Sequence, residues 1–251
     1  MFILIPLTIE LIYTVSVSAM NLYGGLDPRN LPNYTASDAA RHLRIPPATV
    51  RAWAKGTSYR AIEGRKTFSP VITASQPKPL RLSFINLIEL HILRAIRTQH
   101  KIDLNKIRDA LDYLETQLNI SHPLAHTQFR TDGVDLFIEH YGELINASSP
   151  AQGILKGAIE QHLERIEPDD RGLAIRLYPF TRDRESESPR ILAIDPRIAF
   201  GRLAIVGRGI PVDIITSRYR AGDSIHCLAE DYRCPVESIE EAIRSDLVVA
   251  A

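Results

Sequence analysis

The sequence predicts a mainly helical α+β protein. A winged helix-turn-helix is expected at the N-terminal end, and a β-hairpin with three short helices at the C-terminal end. Three observations carry this. Apolar residues recur three and four apart over most of the first half. A stretch rich in Gly, Pro and basic residues breaks that pattern between residues 57 and 82. Charge is also unevenly divided. Residues 21–110 hold 15 basic and 6 acidic side chains, whereas residues 111–189 hold 7 and 14. A chain of zero formal net charge thus has a basic front on an acidic middle, and that asymmetry points to a polyanion partner for the front alone.

The first twenty residues form an apolar run broken by Pro6 and Glu10, with no Lys or Arg before Arg29. The run is short for a membrane span and lacks the basic start of a signal peptide. Translation is expected to begin at Met20, with residues 1–20 set apart as a mis-assigned start or a disordered end. Residues 34–56 read as two short helices. Thr35 with Asp38 makes a capping-box-like start, Arg44-Ile45-Pro46 the break, Pro47 the first turn of the second helix, and Gly56 its end. Residues 57–82 read as a basic loop or short β-wing. Residues 83–100 form a helix apolar on more than one side, and Asp103 caps the next. Leu104, Ile107, Leu111, Leu114 and Leu118 form a seam for packing within the chain or, less simply, against a second copy.

Residues 126–146 read as β structure, with Asp132-Gly133 as a hairpin signal and Gly142 as a second turn. Helix returns over 150–166 and a strand over 173–178, and residues 182–189 read as an exposed charged linker. Strands near 191–194 and 203–206 and helices near 212–220, 224–232 and 236–245 complete the chain. The domain reading is therefore 21–120 for DNA binding, 121–189 for a mixed connector and linker, and 190–251 for a small C-terminal domain.

The segment TASDAARHLRIPPATVRAWAKG carries the functional signal. A helix-turn-helix needs a small residue inside its first helix, an apolar one in the turn, and two apolar ones three apart in the second. Ala40, Ile45, Val50 and Trp53 meet those needs. The outward positions Ala48, Thr49, Arg51, Ala52 and Lys55 then face DNA, where Thr and Arg can reach base edges and Lys a phosphate. Arg41, Arg44, Arg60, Arg65 and Lys66 join them as basic neighbours. Residues 34–118 resemble the MerR-type winged helix-turn-helix, with Arg44 where such turns often carry glycine. No cysteine-rich metal loop accompanies the likeness.

Residues 190–247 resemble the small domain of the domain-of-unknown-function 433 family. The likeness rests on Asp195-Pro196, Gly201-Arg202, Gly209-Ile210-Pro211, Ala221-Gly222 and Leu228-Ala229-Glu230-Asp231-Tyr232; Leu203 replaces a proline common there. Together the two likenesses resemble VapB-type antitoxins. They imply a homodimeric autorepressor bound to operator double-stranded DNA, and neutralisation of a PIN-like ribonuclease toxin. Arg197, Arg202, Arg208, Arg218 and Arg220 could enter the toxin's carboxylate cluster, or could pair with local Asp and Glu. Residues 212–245 could form a second helix-turn-helix, but Glu237, Glu240 and Glu241 on its last helix oppose phosphate binding, which favours protein contacts. A stand-alone MerR-like transcriptional regulator with a C-terminal dimerisation domain is the alternative.

Catalysis is not expected. The eight histidines are scattered, no phosphate loop follows Gly201, Gly207 or Gly209, and Asp195, Asp213, Asp223, Glu230 and Asp231 read as caps and exposed helix positions. No cofactor and no metal are expected. Cys227 and Cys234 have neither zinc nor redox spacing, so the chain is expected to be cytoplasmic with free thiols.

Overall fold

A computed structural model describes residues 23–61, 64–99, 104–145, 148–182 and 184–247; the expected start at Met20 and the Asp103 cap lie outside them. The helices are α1 (Ala36–Leu43), α2 (Pro47–Lys55), α3 (Phe84–Gln99), α4 (Leu104–Leu118), α5 (Val134–Ile145), α6 (Ser149–Leu163), α7 (Val212–Arg220), α8 (Ile225–Tyr232) and α9 (Val236–Leu247). A hairpin of β1 (Thr57–Ala61) and β2 (Gly64–Phe68) follows α2, and a short ladder of β3 (Gln76–Pro77) and β4 (Leu80–Arg81) precedes α3. The third sheet is antiparallel, in the order β5 (Ile166–Pro168), β6 (Ala174–Leu177), β7 (Leu192–Ile194), β8 (Leu203–Ile205).

The capping box forms as read. The Thr35 hydroxyl accepts from the Asp38 N–H at 3.0 Å, and the Thr35 N–H donates to the Asp38 carboxylate at 2.9 Å. Arg44 takes the left-handed conformation that the turn needs, at φ 54° and ψ 43°, so a non-glycine residue holds it at some cost. Pro47 starts α2, and Val50 and Trp53 are buried along with Ala40 and Ile45. Gly56 ends α2 with φ +72°, where a Cβ would lie 2.2 Å from the Phe68 carbonyl oxygen. The hairpin therefore folds back tightly only because residue 56 has no side chain.

Helix α3 is the hub. Phe84, Leu87, Ile88, Leu90, Ile92, Leu93, Ala95 and Ile96 are all buried, and the helix packs on α1, α6 and β6. Its polar residues are matched. Asn86 accepts from the Ser75 and Ser83 N–H groups and donates to the Thr73 carbonyl and to Glu89, using all four of its hydrogen-bonding positions. Glu89 in turn holds His122 at 2.8 Å. That network fixes the chain between the wing and α3.

Three expectations need correction. Residues 127–145 are helical, not β: a wide turn over Phe129–Gly133 runs into α5. Phe129, Val134, Phe137, Ile138 and Tyr141 recur at a helical period and are buried together. Gly133 serves close packing against Phe129 and Leu118, and Gly142 close packing against Gln152, so neither marks a hairpin. The Leu104–Leu118 seam takes the first of its two expected uses, packing within the chain, with Ile107, Leu111 and Leu114 buried in the same core as α5. The expected linker is docked: Arg165 donates to the Tyr178, Pro179, Ser188 and Pro189 carbonyls, and Ser188 is buried. Glu241 does not face outward. It is 2 % exposed, accepts from the Thr181 hydroxyl, and pairs with Arg182 at 2.8 Å.

One buried core cluster accordingly runs from Tyr34 to Ile194, across residue 120, and a second fills the space among β7, β8, α7, α8 and α9. The His91 and His162 rings lie buried with centroids 4.7 Å apart and planes tilted by 43°, His91 stacked on Phe180 and His162 edge-on to it. Burial, reinforced by Arg94, pushes the His162 pKa down to about 4, and burial beside His162 holds His91 well below its ordinary value.

Two predictions follow from this packing. Gly56→Ala should destabilise by about 2 kcal/mol or more, read as a lower urea midpoint; an unchanged midpoint would mean that the turn after α2 is not as tight as described. The second concerns pH. The unfolded chain protonates both rings near 6.5, whereas in the folded chain His162 resists until about pH 4 and His91 is likewise held well below its ordinary value. Stability is therefore full above pH 6.5 and is lost as pH falls toward 4. His42, also lowered to about 4 by burial and by Arg41, acts in the same sense, and His122, raised by Glu89, in the opposite one. Unfolding free energy should drop by roughly 2–4 kcal/mol between pH 7 and pH 5. A flat profile in that window would mean that the rings are not held neutral.

Candidate nucleic-acid interface

Helix α2 presents one polar face. Ala48, Arg51 and Lys55 are exposed and fall at spacings of three and four, so they share a side of the helix. Thr49 is half-buried beside them, and Ala52 is half-buried and leans on the core. The opposite face, Val50, Trp53 and Ala54, is buried, and this fixes the helix's rotation. The Trp53 carbonyl accepts from the Val71 and Ile72 N–H groups, which sets the chain leaving the wing against the end of α2. Arg108 of α4 donates to the Pro70 carbonyl at 3.0 Å and also to the Ser69 carbonyl. The hairpin is therefore held from two helices. Its register sets Arg60 opposite Arg65 and Tyr59 opposite Lys66; the side chains of Arg60, Arg65 and Lys66 lie outside the described residues.

Arg41 and Arg44 are placed differently from Arg51. Arg41 pairs with Asp38 at 2.9 Å, and both arginines line a cavity of about 290 Å³ between α1 and the C-terminal domain. Its walls include Tyr34, His42, Phe200 and Asp213, but neither Arg51 nor Lys55. The structure thus brings Ala48, Arg51 and Lys55 together on α2 and sets Arg41 and Arg44 on a junction.

The five C-terminal arginines do not converge on one point. Arg197 pairs with Asp195 at 2.7 Å, Arg202 with Asp213 at 3.2 Å, Arg218 with Asp223 and Asp231 at 2.6 Å each, and Arg220 with Asp246 at 2.5 Å. Arg208 is exposed near Cys234. The local-pairing reading therefore describes four of them. Among the described residues no group of three His, Cys, Asp or Glu side chains could hold a metal, and no helix is long and apolar enough to cross a membrane.

Sequence reasoning missed the junction itself. The Tyr34 hydroxyl, buried one residue before the cap of α1, donates to the Gly201 carbonyl at 2.8 Å. A Cβ on Gly201 would lie 2.2 Å from that hydroxyl oxygen. The Tyr34 backbone exchanges two hydrogen bonds with Leu82, at 2.9 and 2.8 Å, so the contact reaches the root of α3 as well. Gly201 had been visible only as part of a family-like string, with nothing to name its partner 167 residues away.

Two family models match. Residues 32–111 match one described as "Putative DNA-binding HTH domain", and residues 192–244 match "Protein of unknown function (DUF433)". The chain is 31% identical over 238 residues to the Mycobacterium tuberculosis protein named "Putative antitoxin VapB45", covering 85% of this chain and 93% of that protein. It is 22% identical over 220 residues to a second protein of that organism, "Uncharacterized protein Rv2308", covering 84% of this chain and 88% of that one. In fold it is similar to the crystal structure of Rv2018 from the same organism. That likeness has a TM-score of 0.63 at 23% identity and covers 85% of this chain and 98% of that one.

The α2 face yields a binding prediction. On double-stranded DNA from upstream of its own gene, Arg51→Ala should lose about 1–3 kcal/mol of discrimination against random DNA, measured by fluorescence anisotropy. Equal loss on both DNAs would reassign Arg51 to a phosphate. Six to ten phosphate contacts would weaken the wild type by about 10³–10⁵ between 50 and 200 mM salt.

Proposed function

The chain belongs to the VapB-type antitoxin family that includes VapB45, with a helix-turn-helix DNA-binding domain and a C-terminal domain of the 433 family, and from this premise we propose that it represses its own operon and neutralises a PIN-like ribonuclease toxin. The observation that carries the DNA half is the exposed Ala48–Arg51–Lys55 face on a helix whose rotation Val50 and Trp53 fix. A small-residue surface with a guanidinium and an ammonium four apart suits a major groove: the alanine permits approach, Arg51 reads a base, and Lys55 meets a phosphate. The hairpin after α2 is the wing of a MerR-like unit, and Arg60, Arg65 and Lys66 supply its charge.

The reading includes a homodimer on a two-fold operator, with half-sites about one helical turn or a multiple of it apart. The Leu104–Leu118 stripe is not its interface, because that stripe is consumed within the chain. The protein itself performs no catalysis in this reading and takes no cofactor, and its place of action is the cytoplasm, with the toxin and the operon.

Toxin neutralisation is assigned to the C-terminal domain. Supporting this, its last helix carries Glu237 and Glu240 exposed with Arg244, a surface poorly suited to phosphates and well suited to a protein. The test is growth. The open reading frame adjacent to this gene is induced alone and together with this chain. Arrest that co-expression relieves is the expected result. A neighbour that is harmless alone would overturn the antitoxin reading and leave the stand-alone regulator.

A further inference from the structure

Among the described residues, five of the seven large apolar side chains left exposed are Ile198, Phe200, Val206, Ile214 and Tyr219, all in the C-terminal domain. The first four lie on segments that meet. A Cβ on Gly209 would touch Ile198 at 3.2 Å, which sets the 198–202 loop against the 206–210 turn. Arg202 pairs with Asp213, which sets the same loop against the start of α7, next to Ile214. Phe200 is the most prominent, at 68 % exposed; it meets Tyr23 edge to face at 6.5 Å and borders the 290 Å³ cavity.

The backbone that presents Phe200 is costly. Ala199 and Phe200 both adopt left-handed conformations, at φ 50° and 55°, and Gly201 follows at φ 75°. Two successive non-glycine residues in that region persist only when the surroundings enforce them, and such strain gathers at binding sites. Here the Tyr34–Gly201 hydrogen bond and the Arg202–Asp213 pair enforce it. The loop so held keeps the Phe200 ring at the surface.

We propose that this face, with Phe200 as its anchor, is the surface on which the toxin docks, and that the toxin receives Phe200 in an apolar pocket bordered by carboxylates. The proposal rests on the antitoxin reading and names the site within it. Two arguments choose this occupant. The first is charge. Arg197, Arg202 and Arg208 are exposed around the patch, and Arg41 and Arg44 line the cavity beside Phe200; the acids are Asp213, the buried Asp195, which Arg176 and Arg197 share, and in that cavity Asp38 and Asp246, which pair with Arg41 and Arg220. The rim is net positive, so its complement is acidic. The second is area. The four residues are 38 to 68 % exposed, an apolar patch that fits within one side of a standard non-obligate interface, about 800 Å² with a little over half apolar. An obligate homodimer takes a larger and more apolar surface than this patch offers. Exposed aromatic anchors ringed by polar groups are also where binding energy concentrates.

The test uses the full chain and the purified product of the adjacent open reading frame, titrated by calorimetry. Phe200→Ala should weaken binding by about 30-fold or more, the loss usual for an anchor residue. Ile214→Asp, on the same face, should weaken it comparably, and Ile154→Ala, an exposed apolar residue on α6, should leave it unchanged. Thermal melting of each variant near the wild-type value shows that the fold is intact. If the wild type binds and Phe200→Ala and Ile214→Asp both bind within threefold of it, the toxin docks elsewhere and this assignment is wrong while the antitoxin reading stands. If the wild type does not bind its neighbour at all, the antitoxin reading fails and takes the assignment with it. Sedimentation supplies the other occupant: a wild-type dimer that Phe200→Ala dissolves, with toxin affinity unchanged, would give the face to a second copy.

Discussion

The pairing of β6 with β7, through Leu177 and Ile194, is the constraint on which the remaining architecture depends. Strand β6 belongs with the helices that carry the DNA-binding unit, and β7 begins the C-terminal domain. A single sheet therefore passes from one to the other. Both residues are fully buried, so this is a core joint and not a surface touch. The chain between the strands is held on each side. Arg165 satisfies four of its carbonyls from the first core, and buried Glu241 takes Thr181 and Arg182 from the second. A carboxylate 2 % exposed is tolerable only with such partners, and Arg182 and Thr181 hold its pKa below the usual carboxylate range against the opposing pull of burial.

The joint bears on function because of where it leads. Tyr34 touches Gly201 on one side, and on the other precedes Thr35, the cap of the first helix of the helix-turn-helix. The loop that presents Phe200 thus sits against the root of the DNA-binding unit, with the 290 Å³ cavity between them. A partner that bears on Phe200 bears on a loop already joined to that root. The two activities proposed for the chain would then use surfaces on one connected body, the α2 face and the Phe200 face.

Much of this was legible in the sequence wherever a local rule governs. The Thr35–Asp38 box, the break at Arg44, the Pro47 start and the three C-terminal helices all obey short-range chemistry, and each stands within a residue or two of its expected place; the basic stretch 57–82, read as a loop or short wing, holds the β1–β2 hairpin. The exposed face of α2 follows from which residues must be buried. The failures have long-range causes. Asp132-Gly133 carries a hairpin signature, but Gly133 is there because Phe129 and Leu118 leave no room for a Cβ. The charged run 182–189 has a linker's composition, yet the carbonyls it offers to Arg165 are not visible in side-chain chemistry. Glu241 looks exposed beside Glu240, and its contacts with Thr181 and Arg182, 60 and 59 residues earlier, turn it inward. The arginines of the C-terminal domain could be read as free or as paired, and sequence spacing alone could not choose between Asp223, Asp231 and Asp246 as their neighbours.

Calorimetric unfolding of the full chain near pH 7.5 tests the central claim, that the DNA-binding unit and the C-terminal domain are one cooperative body. A shared sheet and two satisfied buried clamps predict a single transition whose calorimetric and van't Hoff enthalpies agree. Two resolved transitions, one surviving intact when residues 190–251 are removed, would show that the β6–β7 joint does not couple the halves and would contradict the account.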